Sequence, residues 1–193
     1  LLLSQADAGQ LSMQMSPTLL APVVSDVERS GRVLAADRVR VTATVDQDIC
    51  VMADADRLKQ VLLNLTDNAI KHTPTGGSVA LEATGIFNGF ARISVSDTGV
   101  GIPEADLAHV FERFYRVDKS RSRERGGSGL GLSIAQKIVE AHKGRIAASS
   151  KIGEGTTFDV YIPIVGENGV PPEAARGHGA PLPGRRVVPG VGR

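Results

Sequence analysis

The chain has 193 residues, 41% of them hydrophobic, which is enough for one compact domain with a core but not for two large domains. Its 22 Lys and Arg balance 21 Asp and Glu, so the net charge of +1 argues against a nucleic-acid-binding protein. One cysteine excludes an internal disulfide and a cysteine-based zinc site. No apolar run is long enough to predict a membrane span, and the start, which lacks Met, leads us to expect part of a longer chain.

The first half of the chain predicts two helices and two strands. Residues 1–15 are too short for a stable helix of their own and are interpreted as the end of a longer one. Apolar spacing predicts a helix over 19–36, interrupted by Gly31, and alternation predicts strands over 38–45 and 49–52. Asp54 is a suitable N-cap for a helix over 55–72, which Pro74 and Gly76-Gly77 would end.

The second half predicts two pairs of strands with a helix between them. Strands over 78–84 and 90–96 are expected to form a hairpin through Gly85 and Asn88-Gly89. A glycine-punctuated region spans 97–131. A helix over 131–142, with Gly144 as its stop, then precedes strands over 145–150 and 156–162. This order predicts an α/β two-layer sandwich with helices on one face of a sheet.

The last residues differ in composition from the rest. Residues 163–193 hold seven of the 22 glycines and six of the 10 prolines. Such a segment has too few apolar side chains to order itself, so 164–193 are interpreted as a disordered tail. A docked partner-binding peptide is the alternative.

The remaining glycines cluster at 97–101, 126–131 and 153–155. A glycine-rich loop that runs into a helix presents backbone N–H groups to phosphate oxygens, and 126–131 fits that description. It is not a P-loop, because no Lys-Ser/Thr pair follows the glycines. It is not a dinucleotide fingerprint either, since the glycine spacing differs and a charged loop precedes it.

The helix over 55–72 has a narrow polar face opposite its apolar one. Asn64, Asn68 and Lys71 lie on that polar face. The amide oxygen of Asn68 suits Mg²⁺, and Lys71 offers a positive charge to phosphates, although a solvated helix face would explain the same residues. Asp97 ends an apolar strand and is either a turn carboxylate or an acceptor for the amino group of a purine.

Five segments together resemble a known family. They read NLTDNAIKHTP at 64–74, DTGVGI at 97–102, VFERFYR at 110–116, GSGLGLSI at 127–134 and GEGTTF at 153–158. In order and spacing they resemble the N, G1, F, G2 and G3 boxes of bacterial sensor histidine kinases, over about residues 19–163. The resemblance implies the Bergerat (GHKL) ATP-binding fold, shared with gyrase, Hsp90 and MutL-like ATPases, in which a mixed sheet of about five strands packs on about three helices.

The resemblance also implies ATP and Mg²⁺ as cofactors and assigns the site residue by residue. Asn68 would hold Mg²⁺, while Asn64, Lys71 and Arg116 would be the catalytic residues. Asp97 would accept a hydrogen bond from the adenine amino group, with Gly101 against the ring. The residues expected to contact ATP are Asn64, Asn68, Lys71, His72, Asp97, Gly99, Gly101, Tyr115, Arg116, Gly127, Ser128, Gly129, Leu130, Gly131, Leu132 and, through water, Thr156.

Residues 103–127 match the ATP lid of the family. Their charges, including Lys119 and Arg121, favour a solvated mobile loop that orders on nucleotide. Phe111 and Phe114 are interpreted as anchors that hold the lid in an apolar groove. Direct contact with the ligand is the alternative, and the family also places them toward the phosphoacceptor domain.

None of the four histidines fits the phosphoacceptor of the family, which lies in a His-Glu/Asp-x-x-x-Pro box; they are His72, His109, His142 and His178. The resemblance therefore implies that residues 1–18 are a remnant of the second dimerisation helix and a linker. The chain is expected to bind Mg-ATP without phosphorylating itself. Asn64 stands where gyrase-like relatives carry a general base, which predicts slow hydrolysis.

The partners implied are the dimerisation helices of the parent kinase and, indirectly, a response regulator. We expect this chain to be a monomer, its parent a homodimer and the domain cytoplasmic, whether or not the parent is a membrane sensor. Two alternatives stay open: an anti-sigma-factor-type Ser/Thr kinase on the same fold, and a regulatory nucleotide-binding module with degenerate chemistry. The F box favours the sensor class, and the complete glycine set argues against degeneration.

Overall fold

A computed structural model describes residues 12–46, 49–117 and 129–165, apart from the side chains of 85–87. In the described residues the elements are β1 (Ser16–Leu19), α1 (Leu20–Ala35), β2 (Arg40–Val45), β3 (Cys50–Ala53), α2 (Ala55–His72), β4 (Ser78–Phe87), β5 (Phe90–Asp97), α3 (Glu104–Leu107), α4 (Gly131–Ala141), β6 (Arg145–Lys151) and β7 (Gly155–Pro163). None of the helices in these ranges is both long enough and apolar enough to span a membrane.

The main sheet has five strands in the order β2-β4-β5-β7-β6. The β2–β4 pair is parallel and the other three pairs are antiparallel. β1 pairs antiparallel with β3 in a separate two-stranded sheet. The predicted α/β sandwich with a mixed five-stranded sheet is therefore confirmed.

One face of the main sheet forms the core with the helices. Alternate residues of the central strands are fully buried, among them Val79, Leu81, Ile93, Val95, Phe158 and Val160. The apolar stripe of α2 faces them with Leu58, Val61, Leu62, Leu65 and Ala69, which are fully buried at helical spacing. The predicted apolar face of this helix thus packs on the sheet, and its polar face remains for the site.

The structure corrects several local predictions. α1 continues through Gly31 without interruption. The hairpin turn is Asn88-Gly89, with φ of 48° and 80°, whereas β4 runs past Gly85 to Phe87 with a register shift between Thr84 and Ile86. After α4 it is Lys143, with φ of 59°, that takes the left-handed conformation expected of Gly144.

Two short elements had no sequence prediction. β1 lies within the segment interpreted as a linker, and α3 lies within the segment interpreted as a mobile loop. The proposed helix remnant over residues 1–11, most of the charged lid and the tail from 166 onward fall outside the described residues.

One buried hydroxyl offers a test of the packing between α1 and α2. Thr66 is fully buried, and its Oγ1 has no hydrogen-bond partner in the part of the chain that the structure describes. We expect Thr66→Val to raise the free energy of unfolding by about 1 kcal/mol, because the substitution removes the desolvation penalty of an unpaired hydroxyl.

Chemical denaturation measures this change, and Thr73→Val is the matched control. Thr73 Oγ1 donates to the Ala69 carbonyl at 2.7 Å in a buried position, so its loss is expected to destabilise the fold. Equal losses of stability at both positions would contradict the expectation for Thr66.

Candidate functional site

The polar face of α2 lies against the beginning of α4. Asn64 Nδ2 donates to the Gly131 carbonyl oxygen at 3.3 Å. Asn68, one turn further along, is half-buried, as is Asn64. This contact brings the predicted N box and the second half of the predicted G2 box together, although they are far apart in sequence.

Lys71 lies at the last turn of α2 and forms an ion pair with Asp67 at 2.6 Å. Both side chains are about two-fifths exposed, at 40% and 42%. Exposed pairs at this spacing contribute only a few tenths of a kcal/mol, so Lys71 can leave Asp67 for a phosphate at little cost.

The start of α4 is the positive end of a helix dipole. Its N-cap residue, Leu130, makes no side-chain capping bond, and the first N–H groups of any helix lack an acceptor within the helix. Among the described residues, no atom lies within 4 Å of a Cβ added to Gly131. Such a helix start suits an anion. Gly127 and Ser128 of the same box lie outside the described residues.

Asp97 is the acidic residue of the predicted site and is buried, with 9% of its surface exposed. Its Oδ1 accepts from the backbone N–H of Gly99 at 2.8 Å and of Thr156 at 3.2 Å. Burial raises the pKa of this carboxyl above its ordinary value, although both backbone bonds and the nearby His72 act in the opposite direction. The carboxyl group is therefore held in one orientation by β7 and by the loop that follows β5.

The loop over 97–102 is wedged between α2 and the β6–β7 turn. The N–H of Val100 donates to the carbonyl of His72, the last residue of α2, at 3.3 Å. Gly101 has φ of 75°, and a Cβ there would lie 2.3 Å from the Lys151 carbonyl oxygen. A side chain at position 101 would push the loop away from β6, so glycine is required here.

Thr156 belongs to a hydroxyl network that sequence reasoning missed in part. Its Oγ1 lies 2.9 Å from Ser150 Oγ, which donates to the Gly155 carbonyl at 2.7 Å and accepts from the Ile102 N–H at 2.8 Å. Ser150 thereby ties the loop after β5 to both strands β6 and β7. Side chains alternate between the two faces of a strand, so the sequence of β6 already predicts that Ser150 lies on the inward face with Ile146 and Ala148.

The first part of the predicted lid is packed on the domain. Val110 is buried, and the Phe111 ring meets the buried Phe158 ring edge to face at 6.1 Å. Phe111 is therefore the anchor that was predicted. Phe114 is not: it is 69% exposed, because its backbone turns through φ of 61° and donates to the Gly129 carbonyl at 3.0 Å.

The rest of the F box lies close to α3. The Tyr115 hydroxyl donates to Asp106, and this bond, followed by burial, raises the pKa of Tyr115. Arg116 is half-buried beside it, just before the undescribed residues 118–128, and His72 is exposed at the end of α2.

The structure thus joins Asn64 to Gly131 and Asp97 to Gly99 and Thr156. Among the described residues, no hydrogen bond joins Asn68 to these groups.

Comparison with known proteins agrees with this arrangement. Residues 53–166 match the model of the histidine kinase-, DNA gyrase B- and HSP90-like ATPase family. The chain is similar to the adaptive-response sensory kinase SasA of Synechococcus elongatus, with 47% identity over 58% of the chain and 28% of the relative. It is also similar to the sensor histidine kinase WalK of Bacillus subtilis, with 47% identity over 61% of the chain and 20% of the relative. The chain spans less than a third of either protein.

Solved structures show the same architecture. The mycobacterial sensor histidine kinase MprB is 30% identical with a TM-score of 0.68, over 78% of the chain and 97% of that structure. Full-length ShkA in complex with AMPPNP is 28% identical with a TM-score of 0.74, over 84% of the chain and 34% of that structure. The family match over residues 53–166 includes the α2, α4 and β5–β7 elements that build the site described above.

Proposed function

The chain belongs to the family of histidine kinase-, DNA gyrase B- and HSP90-like ATPases, as the ATP-binding catalytic domain of a sensor histidine kinase, and we propose that it supplies the γ-phosphoryl group of Mg-ATP to a histidine on a separate dimerisation domain. The observation that carries the proposal is the Asn64–Gly131 contact. It sets the polar face of α2 beside the start of α4, where a triphosphate can meet both.

The residues present fit the nucleotide and its metal. The buried, oriented carboxyl of Asp97 supports an adenine site, since a carboxylate accepts from an amino group. The start of α4, Lys71 and Arg116 supply positive potential for phosphates. Asn68 contributes an amide oxygen of the kind Mg²⁺ accepts, on the same helix face as Asn64. When bound, Mg-ATP supplies the phosphoryl group and the metal neutralises its charge.

The chain's own residues would orient the triphosphate and neutralise its charge, and the position one turn before Asn68 supplies no base to activate water. The position one turn before Asn68 is Asn64, and an amide has no useful basicity. Its Nδ2 already donates to Gly131, which assigns it to holding the α2–α4 junction. Slow hydrolysis and efficient transfer to an imidazole are compatible with such a site, because transfer depends on positioning and charge stabilisation.

The division of the chain is part of the proposal. We assign residues 19–163 to the catalytic domain, 103–127 to its lid, 1–18 to the end of a dimerisation helix with its linker, and 164–193 to a tail. The partners proposed are the dimerisation helices of a homodimeric parent and, through them, a response regulator. The cytoplasm is the proposed location, in a parent that is either membrane-bound or free.

A transfer experiment tests the proposal. The chain is incubated with γ-labelled ATP and Mg²⁺, with and without separately produced dimerisation helices of the parent. We expect label only on the helices, stable to base and labile to acid as a phosphohistidine is. Label with that stability on this chain alone would contradict the proposed division of labour. Label on serine or threonine of an added partner would favour the anti-sigma type, and rapid ATP hydrolysis without acceptor would contradict the kinase assignment.

A further inference from the structure

The helices α2 and α4 are joined by two polar contacts, one at each end of α4. At the site end, Asn64 Nδ2 donates to the Gly131 carbonyl. At the other end, the backbone N–H of Asp54, the N-cap of α2, donates to Nε2 of His142, the C-cap of α4, at 3.0 Å. With a rise of about 1.5 Å per residue, the contacts are about 15 Å apart along α2 and about 16 Å apart along α4. The two helices therefore run antiparallel in one register that both contacts share.

The ring of His142 is fixed by hydrogen bonds on both nitrogens. The residue is 1% exposed. A backbone N–H can only donate, so Nε2 must be an acceptor toward Asp54. Nδ1 must then carry the proton and donates to the Ile138 carbonyl at 2.8 Å. The ring is thus neutral, in a single tautomer, and cannot rotate without breaking one of the two bonds.

The side chain of Asp54 ties a third element to the same point. Its Oδ1 accepts from the Arg57 N–H at 3.1 Å and caps α2, while its Oδ2 accepts from the Gln14 N–H at 2.9 Å. Burial opposes ionisation of Asp54, but the two backbone hydrogen bonds favour it, and the pKa of the carboxyl lies below its ordinary value. The chain entering β1, the start of α2 and the end of α4 therefore meet at Asp54, the first two through its carboxylate and the third through its backbone N–H.

Between the two polar contacts the helices pack through buried apolar side chains, including Leu58 and Leu62 of α2 and Ala135 and Ile138 of α4. Apolar burial is non-directional and does not by itself select one register. Hydrogen bonds have narrow distance and angle limits, so the contacts at the ends determine how far α4 extends toward the site.

Building on the proposed ATP site, we propose that His142 is a positioning residue that holds α4 in the register placing Gly131 and the helix start beside Asn64 and Asn68. His142 lies about 16 Å from the phosphate end of α4 and acts through the helix. Through Asp54, which accepts from the Gln14 N–H, the segment that contains Gln14 is bonded to the same α2–α4 contact. A displacement of that segment would act on the α2–α4 register before it reached the nucleotide.

Three variants separate positioning from stability. His142→Leu removes both ring hydrogen bonds, whereas His142→Gln keeps an oxygen that can accept from the Asp54 N–H. Val41→Ala is the stability control, since Val41 is a buried residue of the edge strand β2 and touches neither contact. Affinity for AMPPNP with Mg²⁺ is measured by calorimetry well below the unfolding temperature of every variant, and unfolding is followed in parallel.

We expect His142→Leu to weaken AMPPNP binding about tenfold, because a change at one site typically alters the affinity of a distant site by a factor of this order. We expect His142→Gln to stay within about threefold of the wild type, and Val41→Ala to lose stability with no loss of affinity. In the wild type, long-range ¹H–¹⁵N NMR is expected to show the His142 proton on Nδ1.

Each opposite result has its own meaning. The positioning role would be overturned by unchanged affinity in His142→Leu, by losses of affinity in His142→Gln and Val41→Ala as large as the loss in His142→Leu, or by a proton on Nε2. Each of these results would leave the ATP site in place. If His142→Leu does not fold, the His142→Gln affinity and the NMR tautomer still decide the question. If the wild type itself does not bind AMPPNP, the proposed function fails first.

Discussion

Replacement of Asp97 by asparagine is expected to weaken ATP binding by about 100-fold, the size of effect seen when a buried polar recognition contact is mismatched. The backbone N–H groups of Gly99 and Thr156 both bind Oδ1, and they would orient the asparagine oxygen in the same way. The second oxygen of Asp97 would then be replaced by an NH₂ group. A donor would face the adenine amino group, also a donor, where an acceptor is needed.

Calorimetric titration with ATP and with GTP measures this effect. The ratio of ATP to GTP affinity is expected to fall in Asp97→Asn, because the new donor suits the carbonyl oxygen of guanine. Equal ATP affinity in the variant and the wild type would show that Asp97 does not contact the base.

The same variant should not lose stability, which separates recognition from folding. Burial raises the pKa of Asp97 in the folded state above the usual 3.8, so the unfolded chain loses this proton at lower pH. Ionisation of Asp97 therefore lowers stability progressively as pH rises from the unfolded value through the folded one. Asparagine avoids this cost, so Asp97→Asn is expected to be at least as stable as the wild type at pH 7, with the gain vanishing below about pH 3.8. Thermal unfolding across this pH range checks the sign.

Replacement of Gly155 by alanine is expected to have the largest effect on the fold, at least about 3 kcal/mol of unfolding free energy. Gly155 has φ of 113°, and its Cβ would lie 1.8 Å from the Asp97 carbonyl oxygen. That oxygen belongs to the backbone of a central strand and cannot move without separating β5 from β7 at the pair Asp97↔Thr156. Nucleotide binding should be lost together with stability.

Gly153→Ala is the matched control for this prediction. Gly153 lies in the same turn with φ of 79°, but no atom of the described residues lies within 4 Å of a Cβ there. Only the conformational cost remains, so we expect a loss of about 1 kcal/mol. Denaturant unfolding of both variants tests the contrast, and similar losses would show that conformation, not the clash with Asp97, decides the requirement for glycine.

Sequence alone predicted the elements whose ends are set by local chemistry. α2 begins after Asp54, whose side chain accepts from the Arg57 N–H, and ends before Pro74, as the N-cap and proline signals require. Both lie within a few residues of the helix ends that they determine. The position of Asp97 at the end of β5 was predictable for the same reason.

Features that depend on distant partners were not predictable. β1 forms only because Ser16 to Leu19 pair with β3, more than thirty residues away. Exposure of Phe114 follows from its backbone bond to Gly129, and the role of Ser150 follows from a loop fifty residues earlier. His142 looked like one of several histidines outside any motif, yet its ring joins two helices. The alternation of β6 places Ser150 on the inward face, but no local pattern distinguishes the other residues from ordinary ones.

The order of the sheet has a consequence for biosynthesis. β7 is the last strand of the domain in sequence but lies between β5 and β6 in the sheet. The Thr156 N–H that orients Asp97 therefore arrives about sixty residues after Asp97 itself has been made. Long-range pairing of this kind forms late in folding. A nascent chain that has not yet released β7 from the ribosome lacks the N–H that orients Asp97, so with the proposed role of Asp97 nucleotide binding would begin only once the whole domain has emerged.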